Sequence, residues 1–306
     1  MTLISVVIPV LNESSIIKEL VNRVKFNVEK ITNDYEIVIV DDGSTDSTWN
    51  QISQEKVHTE KLKGIRFSRN FGHHYAITAG IHIASGEWVI LMDGDLQDRP
   101  EAIPALYEKA LSGFDVVFVN RMNRPESFVY KTLQKIYYYV LNKLSGMDFD
   151  SRQANFSIIN KKVVEGFKKF PENARFYGSI IKWLGFSRAF IQADHGTRLH
   201  GKPSYTIRKR LNLARDVVIA FSDRPLKFTI NIGIIMVLFS FIAVSVIVFR
   251  YQVYGFTVEG WASIVSVIFL CSGIILLQLG IIGVYVGSIF REVKSRPLYI
   301  ISEVIN

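Results

Sequence analysis

Cysteine is almost missing from these 306 residues: Cys271 stands alone, so no disulfide can form within the chain and a reducing compartment is permitted. Two phosphate-binding signatures are missing as well. There is no G-x-x-x-x-G-K-[ST], and no G-x-G-x-x-G after the first apolar run. Their absence excludes a P-loop NTPase and a typical dinucleotide-binding enzyme. The opening run MTLISVVIPV has no basic residue ahead of it, so it reads as structure rather than as a secretory signal. Acidic residues are the minority charge, 28 against 36 Lys and Arg, leaving a formal net charge of +8. That balance fits anionic partners such as phosphorylated small molecules or an anionic membrane surface. No nucleic-acid partner is expected, because the basic residues gather beside long apolar runs and no recognition module accompanies them.

What the chain has in excess is apolar sequence. Hydrophobic residues make up 49%, and the mean hydropathy is +0.21. Residues 228–249 and 262–290 carry no charge. At 1.5 Å per residue the shorter run makes a helix roughly 33 Å long, enough to cross a bilayer. The alternative, a pair of buried core helices, fits poorly with two such runs side by side between charged flanks. The short connection from Arg250 to Trp261 predicts a two-helix hairpin with both ends on one side. Arg208, Lys209, Arg210, Arg215, Arg224 and Lys227 precede it, and Arg291, Lys294 and Arg296 follow it. The excess of basic residues predicts that the first 227 residues and the tail face the cytoplasm. The expected division is a catalytic domain over 1–205, a juxtamembrane region over 206–227, the hairpin over 228–290 and a cytoplasmic tail over 291–306. The location expected from this is the inner, cytoplasmic membrane.

Two further segments read as amphipathic helices lying on the membrane surface or packing on a core. In 206–221, Ile207, Leu211, Ala214, Val218 and Phe221 recur at helical spacing. In 128–144, FVYKTLQKIYYYVLNKL mixes aromatic, aliphatic and basic residues. Small residues in the second apolar run (Gly273, Gly280, Gly283 and Gly287) suit helix packing within one chain or between copies, so a homo-oligomer stays open.

The first half of the chain alternates strands and helices. Residues 3–8, 35–40, 64–67, 87–92 and 115–119 read as strands, and 14–30, 46–55, 73–84 and 100–112 as helices. Strands this apolar predict an α/β fold with a mostly parallel sheet covered on both faces. In open α/β sheets ligands bind beyond the carboxyl ends of the strands. Asn12-Glu13, Asp41-Asp42 and Asp93-Gly94-Asp95 all fall at such ends. In VILMDGDLQD, Val89 to Asp98, a buried run stops at two carboxylates one residue apart. Unpaired carboxylates are costly beside a core. Hard oxygen ligands this close suit Mg²⁺ or Mn²⁺, which typically take one or two carboxylates plus substrate phosphates. A solvated turn is the plainer reading of D-x-D alone; the two other acidic strand ends favour the metal.

Taken together, VVIPVLNE, VIVDDGSTDST, SRNFGHHYAITAG and LMDGDLQDRPE resemble glycosyltransferase family 2 with its GT-A nucleotide-diphospho-sugar transferase fold. More narrowly, the chain is similar over nearly its whole length to polyprenyl-phosphate glycosyltransferases, in order and including both apolar runs and the tail REVKSRPLYI. The resemblance implies that Pro9, Asn12, Glu13, Asp41 and Asp42 hold the nucleotide base and ribose, with Ser44 beside them. It implies Arg69 and Asn70 at the border of that pocket, close approach at Gly72, a metal on Asp93 and Asp95, and Gln97 nearby. Asp46 reads instead as a helix cap.

For an acceptor phosphate the basic, hydroxyl-rich HGTRLHGKPSY supplies Arg198, Lys202 and Ser204, and Arg121 and Arg124 follow the fifth strand. A basic loop attracted to anionic lipid is the alternative. One departure stands out. Where relatives carry an aspartate often proposed as catalytic base, QANFSII places Asn155, and Ser157 takes the place of an arginine. Asparagine cannot take a proton at neutral pH. Either Asp148 or Asp150 substitutes, or no base is needed, since a phosphate monoester is already mostly dianionic at pH 7. The implied activity is inverting transfer of a sugar from a UDP- or GDP-linked donor to a polyprenyl phosphate in the bilayer, with a flippase as a downstream partner. The rival readings are transfer to a glycan or another lipid, and a silent nucleotide-binding scaffold.

Overall fold

The structure, a computed structural model, describes residues 3–122, 128–146, 153–173, 175–194, 196, 214, 218–220, 222–255 and 260–306. They divide into two compact units. The first holds an eight-stranded sheet. Its strands are β1 (Ile4–Val10), β2 (Tyr35–Asp41), β3 (Leu62–Phe67), β4 (Trp88–Leu91), β5 (Val116–Met122), β6 (Gln153–Asn160), β7 (Arg188–Asp194) and β8 (Ile301–Ile305). They lie in the order β7-β5-β6-β4-β1-β2-β3-β8. β1 pairs in parallel with β2 and β4, β2 with β3, and β5 with β7. β6 runs antiparallel to both β4 and β5, and β8 antiparallel to β3.

β1 and β2 are buried along their whole length, which is why ISVVIPV and YEIVIVD read as almost unbroken apolar runs. On one face, α1 (Ile17–Val28), α2 (Thr48–His58) and α4 (Ile103–Leu111) supply Leu20, Val21, Ile52 and Leu106 to a core with Val6, Ile8, Ile37 and Ile39. The other face carries α3 (His73–Ile83), which lies over Val7 and Val40. α5 (Phe128–Ser145), which belongs to the second unit from Val140 on, α6 (Lys161–Lys168) and α7 (Tyr177–Trp183) follow among the described residues. Asn160 caps α6, its Oδ1 accepting from Val163 N at 3.1 Å.

Three strands exceed the five read from sequence. β6 lies in the stretch read above only for Asn155 and Ser157. β7 alternates exposed positions with buried or half-buried ones at a sheet edge. β8 belongs to the tail, which pairs with β3 and falls in the sheet unit.

A buried carboxylate fastens the sheet at its far end. Glu36 Oε1 accepts from Ser5 Oγ at 2.6 Å, Ser85 N at 2.7 Å and Ser85 Oγ at 2.9 Å, and Oε2 meets Lys63 Nζ at 2.7 Å. Burial alone would raise the Glu36 carboxyl, but Lys63 and the two serines hold it below its usual value. A depressed folded pKa stabilises the fold above the unfolded carboxyl's pKa, and that contribution is lost as pH falls through the folded value. Glu36→Gln is expected to cost about 2 kcal/mol at pH 7, the scale of hydrogen bonds to a charged group, because Lys63 is partly exposed and can turn to water. It should also flatten the melting-temperature profile on the acid side, below the ordinary glutamate pKa of about 4.3, where the unaltered chain loses this contribution. An unchanged profile would remove the network from the stability account.

The second unit contains α8 (Arg224–Tyr254) and α9 (Trp261–Val293). Both have stretches long and apolar enough to cross a membrane, and neither stretch is buried. Gln278 Nε2 donates to Thr229 O at 3.3 Å and Tyr285 Oη to Ser222 O at 2.8 Å, so polar groups link the two helical segments. The helices outrun the uncharged runs and take in Arg224, Lys227, Arg250 and Arg291, because long basic side chains at helix ends can reach water. Of the amphipathic segment 206–221, only 214 and 218–220 are described, as helix; the remainder lies outside the described residues.

Candidate active site

The chain leaves β1 for β2 on one side and reaches β4 on the other, so a crevice opens beyond the carboxyl end of β1. Registers Val10↔Asp41 and Val7↔Leu91 set the ends of β2 and β4 beside it. Three loops meet there, each tied to a neighbour by hydrogen bonds.

Pro9 lies within β1, opposite Val40. Asn12 adopts a left-handed backbone, φ 56°. Its own side chain sustains it: Oδ1 accepts from Thr45 N at 2.9 Å, while Asn12 N donates to Ser44 Oγ at 2.9 Å. Glu13 N donates to Thr48 Oγ1 at 2.9 Å. Asp46, read as a cap, accepts from Thr48 N at 3.0 Å and from Ser14 N at 3.3 Å. The β1 and β2 loops are thereby sewn together.

Asp41 is fully buried. Its Oδ1 accepts from Ser44 N at 2.9 Å, and Arg66 Nε stands 3.7 Å from Oδ2, beyond hydrogen-bond range. Asp42 accepts from Phe71 N at 2.8 Å and from Gly72 N at 3.0 Å. Burial pushes both carboxyls up. These two aspartates shape the loops from beneath. Arg69 and Asn70, the residues those loops present, are exposed, with the Arg69 guanidinium 3.9 Å over the Phe71 ring.

The β4 loop carries Asp93, Gly94 and Asp95. A Cβ at Gly94 would sit 2.5 Å from Val10 Cγ1 and 3.0 Å from Pro9 O, so only glycine lets this turn lie against β1. Asp95 Oδ1 accepts from Gln97 N at 3.1 Å, and Gln97 O accepts from Gly196 N at 2.9 Å. Asp98, buried, accepts from Asp93 N at 3.3 Å. Asp93 Oδ1 is 3.2 Å from His73 Nε2, and His73 Nε2 is 3.5 Å from Asn155 Nδ2. Burial alone would lower the His73 imidazole. Asp93 by charge and hydrogen bond, with Asp42 and Asp95 behind it, carries it above its usual value. Ser157 Oγ bonds Asn155 O and Tyr177 Oη, each at 2.7 Å, which fixes β6 at Asn155.

Strand direction places the end of β5, with Arg121, at this same edge. Asp148, Asp150, Arg124, Arg198, Lys202 and Ser204 lie outside the described residues, as does the Arg121 side chain. Sequence reading missed His73 and Asp98. The signals were there: two histidines opening a helix after Gly72, and a third acid following Asp95.

The donor set fits a hard divalent cation. Two carboxylates flank one turn, and oxygen donors of this kind are those such a cation takes together with substrate phosphates. Among the described residues no three His, Cys, Asp or Glu side chains group as a metal site. Asp93 and Asp95 would therefore need oxygens from a bound diphosphate to complete the shell.

The family model for glycosyl transferase family 2 matches residues 5–168, from β1 through α6. The chain belongs to glycosyltransferase family 2. A bactoprenol glucosyl transferase of Shigella flexneri, derived from prophage SfII, is 34% identical over 301 residues, 98% of this chain and 97% of that protein. An undecaprenyl-phosphate 4-deoxy-4-formamido-L-arabinose transferase of Aeromonas hydrophila is 29% identical, over 99% and 94% of the two chains. Among solved structures, glucosyl-3-phosphoglycerate synthase of Mycobacterium tuberculosis, crystallised with Mn²⁺, UDP and phosphoglyceric acid, superposes with a TM-score of 0.52. It shares 19% identity and covers 71% of this chain and 76% of its own. That likeness establishes the GT-A fold of this glycosyltransferase. The likeness to the lipid-phosphate enzymes also takes in the two long helices and the tail.

Proposed function

We propose that this family 2 enzyme moves a sugar from a UDP- or GDP-linked donor to a polyprenyl phosphate held in the cytoplasmic leaflet, with inversion at the anomeric carbon. The observation that carries the reading is an acidic crevice at the carboxyl edge of a GT-A sheet, in one chain with two bare, membrane-long helices. Relatives named for undecaprenyl phosphate and bactoprenol match nearly the whole length of the chain, which supports the reading.

The loops carrying Asn12, Glu13, Ser44, Arg69 and Asn70 would frame the nucleotide, while Asp41 and Asp42 hold them in shape. Asp93 and Asp95 would hold Mg²⁺ or Mn²⁺, which when bound supplies positive charge for the leaving diphosphate. Asn155 contributes an amide beside His73 rather than a base. That suits a phosphate nucleophile, which needs positioning more than deprotonation. Arg121 and Arg124, with Arg198, Lys202 and Ser204, would grip the acceptor phosphate.

On α5, Ile136, Tyr139, Val140 and Leu144 are exposed three and four residues apart, a stripe suited to the headgroup boundary. Basic residues flanking α8 and α9 favour a cytoplasmic catalytic domain.

The test uses full-length protein in detergent with undecaprenyl phosphate, Mg²⁺ or Mn²⁺, and radiolabelled UDP- and GDP-sugars. Label should enter the organic phase with one donor, and a chelator should stop it. Donor hydrolysis without lipid product would move the acceptor to a glycan or another lipid. No turnover of any donor would overturn the reading.

A further inference from the structure

The registers that align the donor loops do not end at β3. Asp41 lies opposite Arg66 on β3, and Arg66 lies opposite Glu303 on β8. An acid–base–acid row therefore crosses three neighbouring strands at the carboxyl edge. Glu303 Oε1 accepts from Arg66 Nη1 at 2.8 Å, and its Oε2 accepts from Trp49 Nε1 at 2.8 Å. The pairing then skips Ser302, a bulge whose hydroxyl donates to Arg66 O at 3.1 Å. Bulges of this kind re-aim neighbouring side chains.

The same tail segment grips the next loop. Ser68 N donates to Ile300 O at 3.0 Å, and Tyr299 stacks on Phe67 with ring centroids 4.9 Å apart. Ser68 is followed by Arg69 and Asn70, then by Phe71 and Gly72, whose N–H groups bind Asp42.

We propose that the C-terminal strand is a working part of the donor site, and that Glu303 is a positioning residue acting through Arg66 on Asp41. Asp41 is fully buried, and Arg66 is the cation set against it, 3.7 Å away. The Arg66 side chain is 32% exposed, so its contact with Asp41 alone holds it weakly. The two-point hold of Glu303 on Arg66 and Trp49 keeps the guanidinium over Asp41. Asp41 in turn pins Ser44, and Ser44 receives Asn12 N. Without Glu303 the guanidinium swings towards water, Asp41 loses its counter-charge, and the loops around the nucleotide loosen. Glu303 touches no reacting group, so its effect falls on donor binding rather than on the chemical step.

The inference rests on the reading of these loops as the nucleotide pocket, and the test separates the two. UDP and GDP binding with Mg²⁺ is measured by calorimetry on full-length protein. Binding of neither nucleotide by the unaltered chain would overturn the pocket reading, and this inference with it. If one binds, Glu303→Ala is expected to weaken it roughly three- to tenfold, the scale of one partly exposed hydrogen bond to a charged group. Donor KM should rise by the same factor with kcat within about twofold. Glu303→Gln, which keeps the shape and one acceptor, should lose less, in the same direction. In an Arg66→Met background Glu303→Ala should add nothing further. Unchanged nucleotide affinity in Glu303→Ala, or a loss that adds to that of Arg66→Met, would overturn the proposal.

Discussion

Asp93→Asn is expected to abolish measurable sugar transfer, a loss on the order of 10³-fold in kcat, the scale on which removing one preorganised charge-stabilising group acts. The substitution is nearly isosteric. It can keep a hydrogen bond to His73, which now lies 3.2 Å from Oδ1, and it leaves Asp93 N free to donate to Asp98. The fold should survive with little change in melting temperature. What disappears is a full negative charge at the end of β4, the feature that would hold a divalent cation against a diphosphate. Asp95→Asn should be less severe, because one oxygen of Asp95 is committed to Gln97 N and an amide oxygen can still accept that bond. Two readouts separate the roles. Mn²⁺ affinity, followed by paramagnetic resonance with UDP or GDP present, should fall in both variants. Transfer to undecaprenyl phosphate should fall furthest in Asp93→Asn. Full activity in Asp93→Asn, with metal still required, would remove Asp93 from the metal site.

Much of this site could be read from sequence because its signals are local. β1, β2 and β4 end abruptly, passing from buried aliphatics to Asn12-Glu13, Asp41-Asp42 and Asp93-Asp95 within one or two residues. A parallel sheet puts such ends on one edge, so the crevice followed from pattern alone. The partners of those residues did not. His73 arrives from the helix after β3, Asn155 from an antiparallel strand inserted between β4 and β5, and Glu303 from a tail strand paired with β3. Nothing in ISEVI states which edge it will join. Antiparallel β6 does carry a local signal: QANFSI alternates polar and apolar residues at the strand period, and its polar face is not solvated, Asn155 standing beside His73 and Ser157 bonding the buried Tyr177 hydroxyl. What the alternation does not state is that this strand enters the sheet between β4 and β5. The two long helices were the plainest signal in the chain, and only their charged ends were read short.

Gly43→Ala should weaken donor binding severely, an effect second to that of the Asp93 substitution on turnover, although residue 43 has no side chain with which to touch a ligand. Gly43 follows the Asp41-Asp42 pair with φ +70°, a conformation that costs an L-residue roughly 1–2 kcal/mol. A Cβ there would also lie 2.3 Å from Arg69 C and 2.7 Å from Asn70 N. Those are backbone atoms, so no rotamer change relieves the overlap and one loop must move. If 69–70 retreats, Phe71 N and Gly72 N leave Asp42, a carboxylate 3% exposed. If 42–43 retreats, Ser44 N leaves Asp41. Either way a buried carboxylate loses hydrogen bonds it cannot replace from water. Nucleotide affinity should then drop on the order of a hundredfold, with a lower melting temperature. Gly113→Ala separates strain from collision: Gly113 has φ +98° but nothing within 4 Å of its added Cβ. It should cost some stability and leave nucleotide affinity as it was. Equal affinity in Gly43→Ala and the unaltered chain would mean that the close approach of these two loops does not shape the donor pocket. In that case Asp41 and Asp42 would serve the fold alone.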